Sequence, residues 1–182
     1  MRFFKIKPAI AMRMLATLHL LTCFACAAGT ATAGPWDPNE IELVPMSFSL
    51  VPGRPGGAPV FNFRSEGRHF ANSTRCIVPA SAFFEFNGKR YPKAKHRFAL
   101  RGSPITAIAA ISRPARGNQP PSFAMLTTAP GPEVTPYHSR QVVVLRPEDW
   151  AAWIHLTKTE AELLRPLPEG MLEVTTVREG AG

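Results

Sequence analysis

Three polar side chains stand where apolar or aromatic neighbours frame them, and two of them are of a type that moves protons near neutral pH. Glu85 lies in Ala82-Phe83-Phe84-Glu85-Phe86. In an extended strand the period of two puts Phe84 and Phe86 on one face and Phe83 with Glu85 on the other. A carboxylate beside aromatic rings loses hydration, which raises its pKa toward the range a general acid or base needs; the alternative is an outward-facing glutamate on an edge strand. His138 lies in Thr135-Pro136-Tyr137-His138-Ser139-Arg140, just before the apolar run Gln141–Leu145. A histidine at such a loop-to-strand junction suits proton transfer, although a lone histidine also serves a purely structural role. Asn62, in Phe61-Asn62-Phe63-Arg64-Ser65-Glu66, costs packing inside a strand and needs partners. It is either a hydrogen bonder at a ladder end or a group that orients a ligand. His19, His69, His96 and His155 have no comparable frame.

The elements that must position these residues are mostly strands. From Gly34 onward, proline and glycine punctuate short apolar runs at spacings near ten residues, the pattern of a sheet-rich domain. The expected strands are Met46–Val51, Val60–Phe63, Arg75–Val78, Ala82–Phe86, Arg97–Leu100, Ile105–Ile111, Ser122–Thr127, Gln141–Leu145 and Leu172–Val177. Asn87-Gly88 after Ala82–Phe86 predicts a two-residue hairpin turn with positive φ at both positions. Pro147 followed by Glu148 and Asp149 predicts a helix over Pro147–Ile154. Thr159 and Glu162 have the spacing of a capping box for a second short helix through Leu164, stopped by Pro166. The segment Ser112–Pro121 reads as a flexible insertion.

The chain has 182 residues, with 45% hydrophobic and 19% charged. That composition excludes a disordered tail, a collagen and a multi-pass membrane protein, and the length suits one folded domain. Cys23, Cys26 and Cys76 are too few for a disulfide framework, and no metal-ligand spacing or cofactor fingerprint appears. No cofactor is expected. The formal net charge is +8, and it is concentrated: residues 54–116 carry twelve Lys or Arg against Glu66 and Glu85. Such a segment suits an anionic partner, nucleic acid first, or a solvated basic face. Residues 1–33 combine basic Arg2, Lys5, Lys7 and Arg13 with an apolar stretch and Ala31-Thr32-Ala33. They read as a secretory signal or as a translation start placed too far upstream, ahead of a domain over 34–182.

Taken in order, these segments resemble the SOS response-associated peptidase (SRAP) family of abasic-site processing proteins. Asn62-Phe63-Arg64-Ser65-Glu66 is similar to the family's N-A-R-S-E, Arg75-Cys76-Ile77-Val78-Pro79-Ala80 to R-C-L-V-P-A, and Phe83-Phe84-Glu85-Phe86 to the end of G-F-Y-E-W. Leu126-Thr127-Thr128 matches L-T-T, and Pro136-Tyr137-His138-Ser139-Arg140 matches P-I-H-D-R. Ser47-Phe48-Ser49-Leu50 stands at the family's R-W-G-L.

The resemblance implies an α+β fold, with a mainly antiparallel sheet or open barrel and a few short helices. It implies a monomer acting on single-stranded DNA at abasic sites, with Asn62, Glu85 and His138 as catalytic residues. Glu85 would be the general acid/base, His138 a proton donor to the ring-opened sugar, and Asn62 the group that orients it. Arg64, Arg75 and Arg140 would bind phosphate, and Phe48 would stack on a base. The family's nucleophile is an N-terminal cysteine exposed when the initiator Met is removed, whereas position 2 here is Arg2. For a chain beginning at Met1 the expectation is therefore a reversible Schiff base in place of a thiazolidine. The resemblance implies a cytoplasmic, nucleoid-associated protein without a membrane partner. Export, and a non-catalytic nucleic-acid-binding descendant of the family, are the alternatives.

Overall fold

The computed structural model describes residues 5–6, 24–26, 41–50 and 57–181. Its strands are β1 (Lys5–Ile6), β2 (Phe24–Cys26), β3 (Ile41–Pro45), β4 (Ser47–Phe48), β5 (Asn62–Arg64), β6 (Thr74–Ala80) and β7 (Phe83–Asn87). They continue as β8 (Ala94–Leu100), β9 (Thr106–Arg113), β10 (Ser122–Thr128), β11 (Gln141–Val142), β12 (Val144–Leu145) and β13 (Leu172–Arg178). Two short helices, α1 (Trp150–His155) and α2 (Glu160–Leu163), complete an α+β fold.

One sheet of ten strands runs in the order β1-β3-β2-β6-β9-β10-β11, with β12 on β9 and both β4 and β5 on β10. A second sheet of three runs β13-β8-β7. Pairing is mainly antiparallel, as the motifs imply, but β4 and β5 lie parallel to β10. Both sheets are open. β9 is buried along nearly its whole length because both of its faces are covered. Its sequence Ala107-Ile108-Ala109-Ala110-Ile111 is apolar without alternation, the mark of a central strand.

Each face of the large sheet builds its own core. On one face Cys76, Val78, Ile108, Ala110 and Phe123 pack against Phe83, Phe98, Leu100 and Leu172 of the small sheet. On the other Ile77, Ala109, Ile111, Ala124 and Leu126 pack against Phe70, Trp153, Leu163 and Leu164. Each buried Val, Leu, Ile or Phe among them contributes about 1.5–3 kcal/mol. Trp153 is fully buried, meets Phe70 edge to face at 5.9 Å, and donates its indole N–H to the Cys76 carbonyl at 2.9 Å.

Several sequence expectations change in detail. The run 141–145 is two strands because β9 and β10 splay: β11 pairs with the end of β10 and β12 with β9. Val143 between them gives its N–H to Leu126 and takes one from Ala109. The two-residue turn at Asn87-Gly88 is instead a six-residue loop, since Asn87 pairs with Ala94. Pro92 has no N–H for a ladder, and the Asn87 side chain turns inward to bond His96. Gly88 alone takes up the positive φ, at +108°. The segment expected to be a flexible insertion is the end of a β9–β10 hairpin, closed by reciprocal backbone bonds of Arg116 and Gln119 at 3.0 Å. The helix begins as a 3₁₀ turn, Pro147–Asp149, before α1. The capping box is present in full: Thr159 Oγ1 accepts from Glu162 N, and Glu162 Oε2 accepts from Thr159 N.

Candidate functional site

The alternation expected for β7 puts Glu85 on the inner face of the small sheet with buried Phe83, at 18% side-chain exposure. Its carboxyl comes within 3.9 Å of His138 Nδ1, joining residues 53 positions apart in sequence. Burial raises the Glu85 pKa above the usual carboxylate range, and the nearby His138 offsets part of the rise. The outward-facing alternative for Glu85 does not hold.

His138 is presented by a tight turn. Its backbone N–H and that of Thr135 bond back to the carbonyls of Val134 and Gly131, and the Gly131 N–H is held by buried Gln141 Oε1. The imidazole Nδ1 lies 2.7 Å from the Arg140 carbonyl and 3.1 Å from the Arg140 N–H. A carbonyl can only accept, so the shorter contact assigns the proton to Nδ1. The neutral ring then has its lone pair on Nε2, which makes no bond among the described residues. The His138 side chain as a whole is 45% exposed.

Asn62 pairs in parallel register with Met125 of β10, and Met125 packs on the core shared with Phe83 and Tyr137. Asn62 thus faces the same side of the large sheet as the Glu85–His138 pair. It is exposed, and its amide bonds nothing among the described residues. Three motifs are joined nearby: Ser65 Oγ donates to the Thr127 carbonyl, Arg140 grips Glu66 through both guanidinium nitrogens at 2.6 and 2.8 Å, and Arg140 also donates to Thr127 Oγ1 at 3.1 Å. The Arg140 bond holds the Glu66 carboxyl below its usual range.

The remaining residues with expected roles fall differently. Arg64 is exposed at the end of β5 and makes no ion pair among the described residues. Arg75 is not brought to this group. It lies on the opposite face of the large sheet, where its guanidinium donates to the carbonyls of Phe70, Ala71, Ser73, Trp153 and Ile154. Those bonds make it a clamp between β6 and α1. Phe48 is half-buried, stacked on Phe123 at 5.2 Å and met edge-on by Phe61 at 5.3 Å. Phe61 is the more exposed ring of that pair. Cys23 lies outside the described residues, and Cys26 enters as the backbone partner of Leu43 on one side and Ile77 on the other.

Sequence reasoning passed over two groups. Buried His96 sits opposite Glu85 on β8, bonds Asn87 Oδ1 and Thr176 Oγ1, and packs on the Tyr137 ring at 4.2 Å. The alternation Ala94, His96, Phe98, Leu100 marks it as inward-facing. Glu66, taken only as part of a motif, is the partner of Arg140.

Among solved structures, this fold is similar to that of a protein from Bordetella bronchiseptica, with TM-score 0.70 and 23% identity, covering 86% of this chain and 84% of that one. A phage-related protein of the same organism gives TM-score 0.57 at 22% identity, covering 87% and 79%. In sequence, the chain is 30% identical over 100 residues to the abasic site processing protein YoqW of Bacillus subtilis (strain 168) and to that of Bacillus phage SPbeta. That match covers 52% of this chain and less than half, 44%, of each relative. Residues 16–181 match the SOS response associated peptidase family over nearly the whole chain. With the motif segments collinear and Glu85 beside His138, the chain belongs to the SRAP family.

Proposed function

We propose that the protein recognises abasic sites in single-stranded DNA and that Glu85 and His138 carry out proton transfers on the ring-opened sugar. The observation that carries this reading is the contact between a desolvated carboxylate and an imidazole with an open Nε2. An exposed asparagine and an exposed arginine stand on β5, on the large sheet. His138, once protonated, gives its Nε2 proton to the sugar ring oxygen while Glu85 takes the C1′ hydroxyl proton, and the ring opens to the aldehyde. An amine of the chain then adds to C1′, Glu85 hands its proton to the departing hydroxyl so that it leaves as water, and a protonated Schiff base forms. Glu85 then takes the C2′ proton, and the C3′–O bond breaks with the 3′ phosphate as leaving group. Asn62 orients the sugar, while Arg64 and Arg140 hold the flanking phosphates. For Arg140 this means exchanging part of its hold on Glu66 for phosphate oxygen.

Binding tests this reading through its salt dependence. Three or four phosphate contacts give a log–log slope of about −2 to −3 for a single strand, so affinity falls roughly 15- to 60-fold between ~50 and ~200 mM salt. Arg64→Ala should flatten the slope by about 0.7. Arg75→Ala should leave the slope unchanged and instead destabilise the fold by about 2 kcal/mol, because it strips donors from backbone carbonyls. Binding that is absent or indifferent to salt removes the nucleic-acid reading, and a slope that flattens in Arg75→Ala contradicts its assignment as a clamp.

A further inference from the structure

We propose that the outer face of the β7–β8–β13 sheet is a stacking platform for single-stranded nucleic acid, continuous with the Glu85–His138 pair around the free edge of β7. The polymer's identity rests on the reading of that pair given above; the platform itself rests on separate observations. The period of two that buries Glu85 turns Phe84 and Phe86 outward, at 41% and 46% exposure. Same-face residues of a strand stand about 6.7 Å apart, so each ring can take one base of an unstacked strand.

The neighbouring strands supply cations in register. On β8, Arg97 stands opposite Phe84 and Lys95 opposite Phe86, and on β13 Arg178 stands opposite Lys95. Lys95 Nζ lies over the Phe84 ring at 4.1 Å and 5.9 Å from the Phe86 ring centre. A base arriving on either ring displaces the ammonium toward the adjoining phosphate. Arg97 and Arg178 each donate to a backbone carbonyl, of Ser81 and Lys93 respectively, and keep further N–H donors. Glu173, a carboxylate on this face, lies at its far end beside Arg101.

Alternating flat rings and cations match a polyanion that carries flat bases. A second copy of this chain would bring like charge against like. β7 ends the order β13-β8-β7, so no strand blocks passage from this face to the inner one that carries Glu85.

The test is fluorescence anisotropy with a labelled single strand of about 20 nucleotides containing no abasic site. Replacing both rings in Phe84→Ala/Phe86→Ala should weaken binding about tenfold or more per ring, and Lys95→Gln should flatten the salt slope by about 0.7. Should the double variant fail to fold, the Lys95→Gln slope decides by itself. Unchanged affinity and slope overturn the proposal. So does a wild-type dimer in sedimentation that the double variant turns into monomer, since the face would then be a contact between copies. Failure of the catalytic reading shows elsewhere, as absent reaction on abasic strands with binding to intact strands preserved.

Discussion

Glu85→Gln should slow reaction with abasic single strands about 10²- to 10⁴-fold, the range expected for loss of a general acid/base, while making the protein more stable near neutral pH. The two effects share one cause. Burial raises the folded-state pKa of Glu85 above its unfolded value. Between those two values the folded protein binds more protons than the unfolded chain, so stability falls as pH rises through that window and stays reduced above it. Glutamine keeps the shape and removes the charge. Melting temperatures of the two proteins should therefore coincide at pH values below the ordinary carboxylate pKa and separate above it, with the variant higher. The acid limb of the wild-type pH–rate profile should lie above the usual carboxylate range and vanish in the variant. A variant that is less stable than wild type at neutral pH would show that Glu85 is a satisfied structural carboxylate.

Trp153→Ala should cost about 3–5 kcal/mol, the largest loss of stability for any single truncation proposed here. The indole is fully buried in the core opposite the candidate site, and its removal opens a cavity and takes away a hydrogen bond to the Cys76 carbonyl. The melting temperature should fall by roughly 8–15 °C. Because Trp153 lies on the other face of the large sheet from Glu85, reaction measured well below the variant's melting temperature should persist. Denaturant unfolding that gives a loss under about 1 kcal/mol would contradict this packing.

How far these features could be read from sequence depends on the range of the interactions that set them. Period-two alternation is local, so Phe83 with Glu85 inside and Phe84 with Phe86 outside follow from five residues. The capping box at Thr159 and Glu162 is local as well, and it is present. The meeting of Glu85 with His138 is not local, because it depends on how the β7–β8 hairpin packs over the large sheet. The order of the family motifs gives that pairing only by resemblance. Arg75 shows where motif reasoning fails: an arginine in a strand carries the same charge whether it meets phosphate or five carbonyls, and helix α1, 75 residues later in the chain, decides which. Likewise Asn87-Gly88 has the composition of a tight turn, but the bond from Asn87 to His96 and the missing N–H of Pro92 lengthen the loop. The splay of β9 from β10, which splits 141–145 into two strands, leaves no mark in the sequence of either strand.

The central claim, that the Glu85–His138 pair acts on the sugar aldehyde of an abasic site, is tested most directly by borohydride trapping. Protein is incubated with a single strand carrying one abasic site, with the same strand intact and with the abasic strand in duplex form, and adducts are identified by intact mass. The expected result is a covalent protein–DNA product on the abasic single strand alone, lost in both Glu85→Gln and His138→Ala while each variant still binds the intact strand. No adduct under conditions where the intact strand is bound, or equal adduct from the wild type and both variants, would contradict the account.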